Sequence, residues 1–414
     1  MTQTQDILVI GAGIIGISTA LALQSQGRQV TVLDRKGVAG ETSAGNAGAF
    51  AFPEVEPLAT PGIMLKAPKW LLNPLGPLSI PPAYALKIAP WMLRFWRASW
   101  RDRYAAAVTA QVALMAHCAA ALPRQIAATA GEHLMMRDGQ LQLYEGARAY
   151  RAALPAWEVR RSHGIPFDLL ESPGAIAEIQ PGLSPRFTHA GFTPSWLNTV
   201  NPKGWTEHLA KAFTARGGQI EIGVARALEP AEHGAIVHTD TGPVTAAEVV
   251  VAAGAWSHHL ARTLDEPFPL ETERGYNTTL PPGAFDLRTH LTFSAHGFVA
   301  SKISGGVRIG GAVELGGLDL PPNFRRSEIL LDKARDFLPG LRTEGGSQWM
   351  GYRPSLPDSL PVIDRSARAA SVFYAFGHGH LGLTQSAGTA ELVAALVQGN
   401  PPPIPMQPFS ATRF

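Results

Sequence analysis

The apolar positions open as short unbroken runs. Ile7-Leu8-Val9-Ile10 is closed by a glycine, and Val30-Thr31-Val32-Leu33 is closed by Asp34. Runs of this length predict buried strands, and the helical pattern between them completes a strand–helix–strand unit over residues 6–34. Gln140 to Tyr144 alternates like a half-buried strand. Ala147 to His163 reads as helical, with Pro155 as a kink or break. Asn201 to Arg216 predicts an amphipathic helix capped by Asn201 and stopped by Gly217-Gly218. Short strands follow at Gln219–Val224, Ala235–Thr239 and Glu248–Ala253. Four more are predicted at Asn277–Leu280, Leu291–Phe293, Phe298–Ala300 and Val307–Ile309, with Gly305-Gly306 as a hairpin turn. A helix over 327–338, a strand over Ser371–Ala375 and a helix over Gly382–Gln398 close the pattern. Order is expected to end at Pro401–Pro405.

Strand–turn–helix elements recur at the start, the middle and the end, and insertions separate them. The layout predicts an α/β protein with a discontinuous Rossmann-type domain over 1–60, 198–265 and 345–414. An α+β substrate domain with a mixed or antiparallel sheet is expected over 61–197 and 266–344.

Composition narrows the classes. The 414 residues suffice for two or three units and a large core. A net charge of +2 gives no argument for nucleic acid. The single cysteine, Cys118, excludes an intrachain disulfide and fits a reducing, cytoplasmic compartment. No signal peptide is read at the N-terminus. No run reaches an uninterrupted membrane-span length; the nearest, Tyr104 to Leu122, reads as a buried helix. Lys69-Trp70-Leu71-Leu72 and Pro90 to Arg101 mix Trp, Leu and Arg. That composition suits a membrane interface, or, the more ordinary reading, a helix with Trp turned to the core and Arg to water.

Four segments carry the candidate chemistry. Gly11-Ala12-Gly13-Ile14-Ile15-Gly16 follows a strand, opens a helix and has Asp34 at the distance of a ribose acceptor, which together form a dinucleotide fingerprint. Val249 to Trp256 is an apolar strand ending in a small-residue turn, with Ala253 and Gly254 able to pass close to a pyrophosphate. Phe373 to Thr384 is a strand, the glycine-rich turn Gly377-His378-Gly379-His380 and the start of a helix. Its free N–H groups and positive dipole end suit an electron-rich ring. Two histidines without a matching acid make no metal site. In Gly351-Tyr352-Arg353-Pro354-Ser355-Leu356-Pro357-Asp358 the prolines stiffen the backbone that presents Arg353. Its guanidinium suits a substrate carboxylate, or a structural salt bridge to Asp358.

These segments resemble the D-amino-acid oxidase superfamily of FAD enzymes, bacterial D-amino-acid dehydrogenases above all, over nearly the whole chain. Glu41-Thr42-Ser43-Ala44-Gly45-Asn46-Ala47-Gly48 is similar to the family's flavin-passing loop. Gly351-Tyr352-Arg353-Pro354 with Pro357-Asp358 and Pro361 fits its G-x-R-P-x-x-P-D-x-x-P motif. Gly377-His378-Gly379 with Leu381-Gly382 fits its second flavin loop. The resemblance implies non-covalent FAD, since Cys118 lies far from every flavin segment. It implies cofactor contacts from Gly11, Gly13, Ile14, Ile15, Gly16, Asp34, Arg35, Thr42, Ser43, Asn46, Ala47 and Gly48. Val224, Ala253, Gly254, Trp256, Gly379, His380, Leu381, Gly382, Leu383 and Thr384 complete that set. Arg353 becomes the carboxylate anchor, Tyr276 a substrate-side residue and His380 an assisting or pocket-shaping one. His380 stands where many relatives have Thr, and Asp364 where Gly is usual.

The implied reaction is hydride transfer from a D-amino acid or a cyclic imino acid such as D-proline or hydroxy-D-proline to flavin. Electrons then pass to quinone or another acceptor, with the protein peripheral on the inner face of the cytoplasmic membrane. The rivals are an oxygen-using oxidase of the glycine or sarcosine type, an electron-transfer flavoprotein subunit and an NAD(P)-dependent dehydrogenase.

Overall fold

The opening strand–helix–strand unit forms as its pattern predicts in a computed structural model that describes residues 5–65 and 78–414. Gln5–Ile10 and Val30–Asp34 pair in parallel, joined by the helix Ile14–Ser25. They sit inside an eight-stranded sheet. Its parallel part runs Gln219–Ile222, Val30–Asp34, Gln5–Ile10, Gly242–Val251, Val372–Phe376. Ala225–Ala231 and Gly234–Thr239 add an antiparallel meander to the first half of Gly242–Val251. The helices Ile14–Ser25 and Gly382–Val397 pack together on one face over Ile7, Val9 and Val32. Both faces are covered, which is why these strands read as continuous apolar runs.

A nine-stranded sheet forms the second layer. Its order is Ser347–Ser355, Glu271–Leu280, Gly306–Leu315, Phe298–Ile303, His290–Phe293, Gln140–Glu145, Phe187–Thr193, Asp168–Leu170. Pairing is antiparallel except between His290–Phe293 and Gln140–Glu145, and where Leu78–Ser79 joins Gly306–Leu315. Ser347–Ser355 belongs to this sheet although it lies in a sequence segment assigned to the cofactor domain. It is an edge strand, and an edge tolerates Pro354 because no full strand needs its missing N–H; on that side its carbonyl accepts from Gly379 N at 2.7 Å. Arg353 is therefore carried by the sheet of the substrate side.

Helix boundaries follow local chemistry. Asn201 caps Pro202–Ala215 by accepting from the Gly204 amide at 2.9 Å. Pro155 does not break its helix, which runs Gly146–Ser162. Arg101–Thr129 is longer and more apolar than the sequence reading allowed; by length and composition alone it could cross a membrane. Half of its most apolar window is buried, and Cys118 packs on Gly388 of the last helix so closely that a Cβ there would stand 2.4 Å from Sγ. The expectation that order ends at Pro401–Pro405 is corrected. Phe409 is wholly buried, Ser410 Oγ and Ala411 N donate to Asp364, and Arg413 pairs with Asp358 at 2.8 Å. The segment Lys69–Leu72 lies outside the described residues.

Candidate active site

A cavity of about 920 Å³ lies between the two sheets. One end is built by the first glycine turn. Gly11 holds φ at +116°, and a Cβ there would stand 2.4 Å from Ala252 O. A Cβ at Gly16 would stand 1.8 Å from Gly11 O, so only glycine lets the helix sit down on its strand. The amide of Ile14 at the helix N-terminus donates to Ser43 Oγ at 3.0 Å. Asp34 accepts from Ala12 N at 2.8 Å, Lys36 N at 2.7 Å and Gly37 N at 2.9 Å. Its carboxylate thus ties the second strand to the turn and still borders the cavity. The Arg35 guanidinium lies 3.7 Å over the Trp256 ring, a flat wall at the same end.

The C-terminal turn builds the other end. Gly377 and Gly379 both have positive φ, 87° and 55°, which lets the chain reverse into the helix Gly382–Val397. The first amides of that helix lack intrahelical partners and carry the positive end of its dipole. Thr384 Oγ1 accepts from Ala51 N at 2.9 Å and donates to Ala49 O, joining this helix to the segment after the first flavin-type loop. His378 is buried on Thr389 Oγ1 at 3.0 Å, and burial pushes its pKa down to about 3. His380 turns its ring to the cavity. The protein hemming it in, with Arg353 adding repulsion, lowers it to about 4, so it is neutral at pH 7.

The nine-stranded sheet supplies the floor. Strand alternation puts Glu273, Gly275, Asn277 and Thr279 on one face. Arg353 lies across Gly275, where a Cβ would stand 2.3 Å from Nη2, so glycine is what allows the guanidinium to lie flat. Arg353 Nη1 donates to Ala312 O at 3.4 Å. The rival partner Asp358 is taken by Arg413, and Arg353 forms no ion pair among the described residues. Tyr276 belongs to this strand at the cavity, but alternation turns its ring to the face opposite Gly275 and Asn277, where its hydroxyl donates to Glu314 at 2.5 Å and accepts from Asn323 N at 3.1 Å. That hydroxyl is committed to a buried network with Arg274 and does not serve the cavity.

Every residue expected to touch cofactor or substrate lines this one cavity except Gly16 and Gly48. Gly16 acts in packing, and Gly48 accepts from Thr199 N at 2.7 Å. Glu273, Asn277, Arg308 and Trp349 also line it and were missed. The period of Glu271–Leu280 could have exposed the first two; no motif marks the others.

The sequence profile of the FAD dependent oxidoreductases matches residues 6–396, and the chain belongs to this family. It is 33% identical to a D-amino-acid oxidase of Bradyrhizobium diazoefficiens over 422 residues, covering 100% of both chains. It is 31% identical to D-amino acid dehydrogenase 1 of Mesorhizobium japonicum, covering 99% of each. In fold it is similar to glycine oxidase from Geobacillus kaustophilus, with a TM-score of 0.80 at 20% identity over 100% of both chains. The cavity suits FAD: two helix N-termini face it, and glycines at Gly11 and Gly13 leave room for a close backbone approach. FAD is the cofactor, and the glycine turn at one end and the Gly377-to-Thr384 turn at the other are the segments that would hold it.

Proposed function

We propose that this chain oxidises the α-amine of a D-amino acid or a cyclic D-imino acid of the D-proline type. The carrying observation is Arg353: a fixed guanidinium beside the second flavin turn, bordering the cavity, with no ion pair among the described residues and only the longer-range pull of Glu273 opposite it. It is placed to take a substrate carboxylate in two parallel charge-assisted hydrogen bonds. Bound FAD supplies the hydride acceptor. The carboxylate on Arg353 fixes which way the α-carbon faces, so the barrier falls by orientation rather than by a strong base. His380 is uncharged at neutral pH, so it does not repel an incoming amine, and it offers a hydrogen-bond partner. The full-length similarity to a D-amino-acid oxidase and a D-amino acid dehydrogenase supports the substrate class.

The electrons pass to a quinone or another acceptor rather than to oxygen, and the protein docks on a membrane surface. The helix Ala85–Ala98 supports this second part, since it turns an apolar stripe to solvent.

The test is anaerobic flavin reduction across D- and L-amino acids, proline analogues, glycine and sarcosine. Bleaching by D-amino or cyclic D-imino acids is expected. Bleaching by glycine and sarcosine alone would replace this reading with a glycine-type oxidase.

A further inference from the structure

The strand Gly306–Leu315 carries a second cation that has no part in holding a substrate carboxylate. Arg308 pairs with Thr279 in register, and Arg353 with Glu273, six positions along the same strand. The Arg353 guanidinium leans only to Gly275, while Arg308 stays at Thr279 with Nε donating to its Oγ1 at 2.9 Å. Four strand residues separate those points, about 13 Å at roughly 3.3 Å each. One carboxylate cannot use both.

Arg308 instead reaches across to the loop that resembles the family's flavin-passing segment. Nη1 donates to Ala44 O at 3.3 Å and to Asn46 O. The carbonyl between them, Gly45 O, accepts from Asn277 Nδ2 at 3.0 Å. Three consecutive carbonyls are thus pinned to the sheet. These bonds fix the backbone of the 3-10 turn Thr42–Gly45 and of Asn46 and Ala47 after it, where residues 45–47 line the cavity. No carboxylate pairs with Arg308 among the described residues, and its Nη2 makes no hydrogen bond. Burial pushes its pKa down to about 10, which leaves it charged at neutral pH.

We propose that Arg308 is a cofactor-positioning residue. Together with Asn277 it fixes the backbone of residues 44–47 against the flavin, and its uncompensated charge raises the flavin's reduction potential. A flavin gains negative charge on reduction, and a fixed cation in a low-dielectric cavity favours that state.

Three variants of the holoenzyme separate the two effects through the FAD dissociation constant and the midpoint potential. Arg308→Met loses both the pins and the charge: FAD affinity falls about tenfold or more, and the potential moves negative. Arg308→Lys keeps the charge but cannot reach both carbonyls and Thr279 at once: affinity falls and the potential holds. Asn277→Ala removes one pin and no charge, so it weakens FAD binding and leaves the potential in place. Wild-type FAD affinity in Arg308→Lys and Asn277→Ala overturns the positioning role. An unchanged potential in Arg308→Met overturns the electrostatic one. If Arg308→Met does not fold, a neutral Arg308→Gln supplies the potential measurement. None of these readings needs an amino acid, so they stand apart from the substrate proposal.

Discussion

Glu273 and Arg353 face each other across the strand pair Glu271–Leu280 and Ser347–Ser355, yet form no ion pair. They still feel each other. Burial raises the Glu273 carboxyl, and Arg353 draws it back down. Glu273 is thus the resident counter-charge that a substrate carboxylate must outcompete. Glu273→Gln is expected to lower KM for amino acids a few-fold while FAD stays bound. Arg353→Leu is expected to raise KM steeply, since losing a desolvated bidentate pair costs about 2–5 kcal/mol. Steady-state kinetics beside the flavin spectrum check both. A KM within a few-fold of wild type for Arg353→Leu would remove Arg353 as the anchor.

Asp34 holds backbone amides, and its proposed ribose contact would give it a second job that variants can separate. The sequence alone gives it ribose hydrogen bonds; the structure adds three backbone amides that it holds. Asp34→Ala is therefore expected to lower the stability of the apoprotein as well as FAD affinity, by about 1–3 kcal/mol for the orphaned amides. Asp34→Asn keeps one acceptor oxygen and should fall between. Equal melting temperatures for wild-type and Asp34→Ala apoprotein would leave only the cofactor role.

The cofactor cradle was legible because its parts are local. Glycine spacing, the strand before it and the acid after it all lie within residues 6–34, and each has its own steric reason. Arg353 was legible because prolines mark it, although the same prolines hid the edge strand that carries it. Arg308, Glu273 and Asn277 were not legible, because their meaning arises only when Glu271–Leu280 and Gly306–Leu315 pair and meet the 44–46 loop. Tyr276 shows the converse: the motif marks its position, but alternation turns its side chain off the cavity face, where Glu314, 38 residues away, takes its hydroxyl. The C-terminal tail looked like a disordered proline run because Asp364 and Asp358, which hold it, lie some fifty positions earlier.

His290 and His378 give the fold a defined acid sensitivity. Both are 4% exposed, and burial depresses them from 6.5 to about 4 and about 3. The unfolded chain therefore binds more protons than the native one once pH drops below 6.5. Stability is full above that value and is lost progressively as pH falls from 6.5 toward 4. His378→Gln keeps a hydrogen-bonding side chain near Thr389 and should flatten this slope by about one proton. Denaturant melts between pH 7 and 4 measure it. An identical slope in wild type and His378→Gln would mean that another group titrates.

The membrane prediction rests on one helix with two apolar faces. Along Ala85–Ala98, Ile88 and Trp91 are buried with Phe95 packed beside them, at helical spacing, against Leu315. At about 100° per residue, Leu86, Leu93 and Trp96 fall on the opposite side. They are 91%, 65% and 46% exposed, and the half-open Trp100 sets its ring edge-on to Trp96. Lys87, Arg94 and Arg97 lie along one flank of that stripe, and Arg97 stacks on Trp100. A stripe of Leu and Trp flanked by cations matches the acyl boundary and headgroups of an anionic bilayer. Each large side chain buried there contributes about 1.5–3 kcal/mol, so the double variant Leu86→Glu/Trp96→Glu should lose nearly all vesicle binding. Because apolar burial dominates, wild-type binding should survive moderate salt. Cosedimentation with vesicles of anionic and zwitterionic lipid measures this, and turnover with a quinone analogue against peroxide release measures the acceptor. If the wild type stays in the supernatant, or if peroxide forms as fast as dye is reduced, the stripe serves another purpose and oxygen is the acceptor.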